Sequence, residues 1–339
     1  MRSFLSRRDF LERTACAWAL LGGAAARGGG AQAQGTGSAA AAGTQAAGTM
    51  YVSLNGSVAR GVGWPDLAKL SARVGYGGVD WSLGGARTAG VDATRALFAE
   101  LKIRPSITGF PMARPLPFGG EQAAFDQALI ELADAAAFSA AVGCDRMMLV
   151  LSPTGPLPKE EWRKVVLERL SAVSQVLQRS NVQLGLEFLG VQQFRAGRDG
   201  GPPPNPFIWT LPETVALAKD CGPNIGVVLD VWHWHHSGGT TAEILDTPAS
   251  RIVHLHVSDA KAQAPEDVRD NGRVMPGEGV IDLAGFFQAL KKIGYTGGVS
   301  PEPLGRVPPE MSAEEGARLA LDTTRAAMKK AGLGGFSPG

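Results

Sequence analysis

From Met50 onward, short apolar segments alternate with amphipathic segments along almost the whole chain. The segment Gly226 to Leu229 is almost purely apolar, which is typical of a strand buried on both faces of a parallel sheet. The segment Trp64 to Val74 instead places its apolar residues on one helical face. Eight predicted strands, each followed by a predicted helix, fill residues 50–332. This rhythm favours a closed (β/α)8 barrel over an open doubly wound sheet, and no glycine-rich phosphate fingerprint follows the first strand.

Four predicted strands end in side chains that commonly bind metal ions. Glu187 ends "VQLGLEF", Asp230 ends the strand that begins at Ile225, His256 lies near the end of "RIVHLHVSD", and Glu302 follows "TGGVS". In a parallel barrel the carboxyl ends of all strands meet at one mouth, where the catalytic residues of such barrels lie. A buried carboxylate must be paired, solvated or bound to a cation. We therefore expect these four side chains to converge on one divalent metal ion.

Three carboxylates and one imidazole form a ligand set made mostly of hard oxygens. Such a set favours Mn²⁺, with Mg²⁺, Co²⁺ and Zn²⁺ as alternatives. Each residue alone also has a structural explanation: Asp230 as a helix cap and Glu187 as an ion-pair partner. His254 and His256 face the same side of their strand because they are two residues apart, so one of them can be a core histidine. Four such coincidences at one mouth favour the metal site.

The composition limits the classes of partner. Hydrophobic residues make up 44% of the chain, charged residues 19%, and the formal net charge is +1. These values are typical of a globular protein. A net charge this small creates no positive electrostatic field that would attract polyanions, so we expect no nucleic-acid partner. No apolar run in the predicted barrel approaches the ~20 residues that span a bilayer, so we expect no stable membrane anchor. A homo-oligomer is compatible with these values.

The N-terminal segment carries a separate signal. Arg7 and Arg8 precede a short apolar stretch that ends in small residues. This order predicts a removable export peptide of the twin-arginine type over residues 1–33, and hence the twin-arginine export machinery as a partner and a periplasmic or exported location. Residues 34–49 have too little apolar bulk to fold, so they are predicted to be a disordered low-complexity linker. A flexible basic tail is the alternative interpretation.

Four segments resemble, in order and spacing, the sugar phosphate isomerase/epimerase family with its xylose isomerase-like TIM barrel. They are "LGLEFLG", "VVLDVWHWHHSG", "IVHLHVSDA" and "PGEGVIDLAGFFQALKKIGYTGGVSPEP", and the resemblance covers essentially residues 50–332. It implies that Glu187, Asp230, His256 and Glu302 are the metal ligands and that His233 contacts the substrate. In the ketose 3-epimerase branch the first and last glutamates also exchange the substrate proton, which implies catalytic roles for Glu187 and Glu302.

The loops depart from the pattern of that branch. The branch usually places an arginine about six residues after the metal histidine, where this chain has Ala262. Lys261, Arg269 or Arg273 could take the place of this arginine. Alternatively, the protein acts on a different substrate from that branch. Bulky aromatic residues, Trp81 among them, are also expected near the mouth. The predicted substrate-binding side chains are His233, His254, Lys261, Arg273 and Trp232.

These features predict an exported, metal-dependent isomerase or epimerase that acts on a free sugar, a keto-sugar or a polyol. A carboxylate would remove the proton next to a carbonyl, and an enediolate would form. The first alternative is a lyase or hydrolase with the same first step, such as a keto-inositol dehydratase or an enzyme that cleaves 3-keto-glycosides. The second is a non-catalytic periplasmic sugar-binding protein, against which two opposed glutamates argue.

Overall fold

The computed structural model describes residues 49–196 and 205–334. Eight parallel strands close into a barrel, in which each barrel strand pairs with the next barrel strand along the chain and the last pairs with the first. The predicted (β/α)8 barrel is therefore confirmed. The barrel strands are β1 (Tyr51–Leu54), β2 (Gly78–Trp81), β3 (Arg104–Gly109), β4 (Arg146–Leu151), β6 (Gln183–Phe188), β8 (Ile225–Asp230), β9 (Ile252–Val257) and β10 (Gly298–Pro301). Two short strands, β5 (Thr154–Gly155) and β7 (Asn205–Pro206), pair antiparallel outside the barrel.

At least one helix follows each barrel strand. The helices are α1 (Asp66–Val74), α2 (Leu83–Ala89), α3 (Val91–Leu101), α4 (Gln122–Ala141), α5 (Lys159–Gln178), α6 (Leu211–Cys221), α7 (Val231–His236), α8 (Thr241–Leu245), α9 (Leu283–Lys292) and α10 (Ala313–Lys330). Within the described ranges, none of them is long and apolar enough to cross a membrane. The predicted signal peptide and almost all of the predicted linker fall in residues 1–48, outside the described residues.

The packing of the second strand corrects one expectation. Trp81 is fully buried, and its ring centroid lies 6.0 Å from those of Trp64 and Phe98. It therefore belongs to the hydrophobic core between barrel and helices and does not line the mouth. The side chain at the end of an apolar strand can turn outward into the helical layer, because successive residues of a strand face opposite sides.

The histidine-rich segment after β8 forms the short helix α7. Asp230 is its N-cap, and its Oδ1 accepts hydrogen bonds from the backbone N–H of Trp232 at 2.8 Å and of His233 at 3.4 Å. A side-chain oxygen at this position satisfies N–H groups that have no partner within the helix. The loop after β6 lies directly against α7, since a Cβ at Gly190 would overlap the carbonyl oxygen of His233.

The long loop after β9 is fixed by one buried carboxylate. Asp259 accepts hydrogen bonds from the backbone N–H groups of Gly277, Gly279 and Ile281 at 2.9–3.1 Å. Its own backbone pairs with Val274 in an antiparallel bridge. Both oxygens of this carboxylate accept hydrogen bonds from backbone amides, so Asp259 stabilises the conformation of the loop. The loop residues next to Val274 are thereby held at the barrel mouth.

Candidate metal centre

The four predicted metal ligands lie together at the carboxyl ends of β6, β8, β9 and β10. One ligand atom from each of Glu187, Asp230, His256 and Glu302 lies within 4.8 Å of the other three. His256 Nδ1 is 2.7 Å from Glu187 Oε1 and 3.5 Å from Glu302 Oε2. The Glu302 side chain is 18% exposed, whereas the other three are buried. The cluster is thus open to the mouth on the side of Glu302.

The donor chemistry of this cluster fits a divalent cation. Three carboxylates and one ring nitrogen are a usual ligand set for Mn²⁺, and zinc and cobalt also accept it. His256 Nδ1 is the nitrogen that faces Glu187 and Glu302, so it is the atom that would bind the ion. The four side chains therefore fit the divalent metal ion that the sequence predicts at the barrel mouth.

The cluster changes the proton affinity of its own members. Burial opposes the charged form of His256, but Glu302, Glu187 and Asp230 outweigh it and raise its pKa to about 10. Burial raises the pKa of Glu302 to about 8, against the opposing charges of His256 and Arg273. Both shifts follow from crowding carboxylates into a site with little water. A bound metal ion would compete with these protons for the same atoms.

Arg273 supplies a buried positive charge to the cluster. Its Nη1 lies 2.7 Å from Asp230 Oδ2 and 3.2 Å from Glu302 Oε2. Its Nε and Nη2 both donate to Asp270 Oδ1, at 3.2 and 2.7 Å. The guanidinium carbon lies 4.6 Å from the ring centroid of Trp232, a distance typical of a cation–π contact. Arg273 therefore lies at the edge of the four candidate ligands, where the carboxylates, Asp270 and Trp232 fix its position.

The same arginine defines the protonation of two neighbours. Burial raises the pKa of Asp230, but the charges of Arg273 and His256 bring it below its ordinary value. Arg273 Nη2 lies 3.2 Å from His233 Nε2, and a guanidinium can only donate, so Nε2 accepts and the ring proton is on Nδ1. Burial also lowers the pKa of His233. His233 is thus a neutral imidazole next to the cluster.

The remaining predicted substrate-binding residues lie in different places. Trp232 is 1% exposed and packs behind Arg273. His254 is fully buried, with Nε2 2.7 Å from Ser300 Oγ, which matches the alternative of a core histidine. Lys261 is exposed on the loop after β9, and among the described contacts it makes none with the cluster. The structure therefore brings His233 and Arg273 to the site, places His254 beside His256 in the barrel interior, and leaves Lys261 away from the site.

Two buried acids of this region were missed by the sequence reasoning. Asp80, on β2, is an isolated acid in an apolar strand, the same signal that pointed to Asp230. Asp270 lies in a polar loop and has no such signal. Its backbone N–H donates to Gln193 Oε1 at 3.0 Å, which connects it to the loop after β6. Only the folded loop shows that Asp270 holds Arg273.

The fold and the cluster define a (β/α)8 barrel with a candidate metal centre at its mouth. Residues 68–324 match the family described as xylose isomerase-like TIM barrel, and the chain belongs to that family. A solved structure of a xylose isomerase domain protein from Alicyclobacillus acidocaldarius superposes with a TM-score of 0.75 at 24% identity. The match covers 84% of this chain and 100% of that one. This likeness concerns the fold.

Two curated relatives are similar to parts of the chain. Inosose isomerase of Halalkalibacterium halodurans is 31% identical over 166 residues, which cover 49% of this chain and 55% of that protein. The 3-dehydroshikimate dehydratase of Pseudomonas putida is 30% identical over 105 residues, which cover 29% of this chain and 16% of that protein. The chain thus spans about half the length of the inosose isomerase that it matches. The relatives are enzymes named for an isomerisation and a dehydration.

Proposed function

We propose that the protein is a divalent-metal-dependent enzyme that isomerises or epimerises a free sugar, a keto-sugar or a keto-polyol such as an inosose. The observation that carries this proposal is the convergence of Glu187, Asp230, His256 and Glu302 within 4.8 Å at the barrel mouth. Membership of the xylose isomerase-like family and similarity to an inosose isomerase support the substrate class. Nothing in the proposal requires a nucleic-acid partner.

The reaction follows from the two glutamates of the cluster. A bound divalent ion would supply Lewis-acid polarisation of the substrate carbonyl. Glu187 and Glu302 both lie beside His256 Nδ1, so they can stand next to the same substrate carbon. One carboxylate removes the proton next to the carbonyl, and the C–H electron pair forms the enediolate. A proton returned to the same carbon from the other face gives the epimer, and a proton delivered to the former carbonyl carbon gives the isomer.

Arg273 and His233 would orient the substrate beside this pair. The guanidinium is rigidly held by Asp270 and Trp232, so it is ready to stabilise negative charge that develops on the enediolate oxygen. His233 is neutral, and its Nδ1–H, which has no hydrogen-bond partner among the described residues, can donate to a substrate hydroxyl without adding charge. Together they form a polar wall of the site beside the carboxylates.

A dehydratase is the second candidate function, because one of the similar relatives is a dehydratase. The first step is the same removal of the proton next to the carbonyl. The enediolate then expels a hydroxyl from the neighbouring carbon, and the protonated carboxylate donates the proton that leaves with it as water. The two functions therefore differ in the fate of the intermediate and not in the base.

Incubation in D₂O separates the candidate functions. The full chain would be loaded with Mn²⁺, Mg²⁺, Co²⁺ or Zn²⁺ and supplied with free ketoses, inososes, 3-keto-glycosides and 3-dehydroshikimate, followed by NMR. Deuterium at the carbon next to the carbonyl in an intact sugar supports the isomerase or epimerase. Loss of water or of an aglycone supports the lyase. A sugar that binds without exchange or reaction under any metal would instead fit a sugar-binding protein and contradict the proposal.

Replacing Glu187 or Glu302 by Gln tests the catalytic roles. The amide keeps an oxygen ligand but cannot accept the proton, and a general base contributes about 10²- to 10⁴-fold to rate. At saturating metal, each variant should turn over at least about 100-fold more slowly than the wild type. Glu310→Gln removes an exposed carboxylate from the loop after β10 and serves as the matched control. Near-normal turnover by Glu302→Gln would leave Glu302 as a metal ligand without a catalytic role.

A further inference from the structure

Every N–H group of the Arg273 guanidinium has an acceptor within the protein. Nε and Nη2 both donate to Asp270 Oδ1, at 3.2 and 2.7 Å. Nη1 lies 2.7 Å from Asp230 Oδ2 and 3.2 Å from Glu302 Oε2, so its two hydrogens point to two carboxylates. The second hydrogen of Nη2 points to His233 Nε2, at 3.2 Å. An arginine has five such donors, so none is left over for a substrate, and Arg273 acts as a fixed charge.

Asp270 accepts two of these five hydrogen bonds. It lies on the loop after β9, three residues before Arg273, and its side chain is 12% exposed. Asp270 Oδ1 is 4.0 Å from His233 Nε2, which is too far for a hydrogen bond. Asp270 therefore acts on His233 only through the guanidinium, which contacts both side chains.

The loop after β6 fixes the backbone of Asp270. The N–H of Asp270 donates to Gln193 Oε1 at 3.0 Å. The next residue, Phe194, is half-buried, and its ring centroid is 6.2 Å from that of His233, a distance typical of packed rings. Asp270 and His233 thus both contact the same short segment of this loop. The loops after β6 and β9 are thereby connected beside Arg273.

The contact with Arg273 determines which ring nitrogen of His233 carries the proton. A guanidinium can only donate, so Nε2 accepts and the proton is on Nδ1. In a neutral histidine, the hydrogen bond made by one ring nitrogen sets the protonation of the other. Nδ1 of His233 is buried and has no hydrogen-bond partner among the described residues. Because buried polar atoms nearly always have a partner, this N–H is a donor suited to an oxygen of a bound substrate.

We propose that Asp270 is a positioning residue of the barrel mouth: it orients Arg273 so that Nη2 donates to His233 Nε2, and it thereby keeps the Nδ1 proton of His233 available to a substrate oxygen. This inference rests on the proposed function, in which His233 orients the substrate. Asp270 acts through Arg273 and His233. Gln193 supports it by accepting the N–H of Asp270.

The test is ¹⁵N NMR of the histidine rings in the full chain, with the His233 signals assigned by their absence in His233→Asn. In the wild type, Nδ1 of His233 should be protonated and Nε2 unprotonated. Asp270→Ala removes the acceptor of two guanidinium N–H groups, so Arg273 should lose its contact with Nε2 and an Nε2–H signal should appear. Asp270→Asn keeps an oxygen acceptor at the same place, so it should retain most of the Nδ1–H form.

Two further variants complete the test. Gln193→Ala leaves the carboxylate in place but removes the acceptor of the Asp270 N–H, so a smaller shift toward Nε2–H is expected, even if Asp270→Ala fails to fold. Asp267→Ala is the matched control, because it removes an exposed carboxylate from the same loop, three residues before Asp270. The His233 signals of this control should match those of the wild type.

Several results would overturn the inference. One is a wild-type His233 with its proton on Nε2, and another is an unchanged Nδ1–H form in both Asp270→Ala and Gln193→Ala. An equal shift in Asp267→Ala would have the same consequence. A shift in Asp270→Asn as large as that in Asp270→Ala would assign the effect to the charge of Asp270 and also overturn its positioning role.

Metal titration of the wild type separates this inference from the function on which it rests. If the ring signals of His256 do not respond to Zn²⁺, Mn²⁺ or Co²⁺, the proposed metal centre is wrong and the role of Asp270 toward a substrate is overturned with it. If His256 responds and the Asp270 and Gln193 variants keep the wild-type form of His233, only the role of Asp270 is overturned. Activity is not needed for either result.

Discussion

Replacing Arg273 by Met tests whether the buried cation stabilises the barrel mouth. The Arg273 side chain is 1% exposed and contacts Asp230 and Asp270 at 2.7 Å and Glu302 at 3.2 Å. Methionine retains much of the apolar volume against Trp232 but removes the charge. The variant therefore leaves carboxylates buried without their partner, which is the costly way to break an ion pair.

The size of the effect follows from the burial of both partners. The Asp230 side chain has no exposed surface. Loss of one member of a buried pair costs about 3–5 kcal/mol in the free energy of unfolding. With an unfolding entropy of about 2.1 cal/mol/K per residue over roughly 280 barrel residues, each kcal/mol shifts the melting temperature by about 1.7 °C, so it should fall by roughly 5–8 °C. Thermal melting of the metal-free protein, followed by circular dichroism, measures this shift.

Arg306→Met provides the control for removing an arginine. Arg306 pairs with Glu278 at 3.2 Å, but the two side chains are 38% and 37% exposed. An exposed pair contributes about 0–1 kcal/mol, so the melting temperature should change little. Saturating Mn²⁺ should recover part of the loss in Arg273→Met, because a bound cation neutralises the same carboxylates. Equal melting temperatures for the two variants would refute the stabilising role assigned to Arg273.

Three further predictions concern the ligands, a close contact and the export signal. Asp230→Asn should lose most bound metal but keep the fold, because the amide oxygen can still cap α7; stoichiometric metal in the purified variant would remove Asp230 from the ligand set. Gly190→Ala should destabilise the protein by about 1–3 kcal/mol, because the new methyl group overlaps the backbone of α7. Gly272→Ala meets nothing within 4 Å and should melt like the wild type, and similar melting of both variants would contradict the contact. Replacing Arg7 and Arg8 together by Lys should trap the precursor in the cytoplasm, as fractionation and immunoblotting would detect, whereas normal export would exclude the twin-arginine interpretation.

Local pattern was enough to predict the barrel and the residues at its mouth. Strands and helices differ in the period of their apolar residues, so the eight repeating units can be read along the chain. A parallel barrel then brings all carboxyl ends of its strands to one face, which is why Glu187, Asp230, His256 and Glu302 could be expected together. No knowledge of the loops was needed for this step.

The tertiary structure decided which loop residues complete the site. Lys261, Arg269 and Arg273 are equivalent by sequence, yet only Arg273 reaches the carboxylates, because Asp259 fixes the loop through amides about 20 residues further along the chain. Likewise, Asp270 is one acid among several in a polar loop until the fold places it against Arg273. Loop conformations depend on contacts between residues far apart in sequence, and such contacts leave no periodic pattern in the chain.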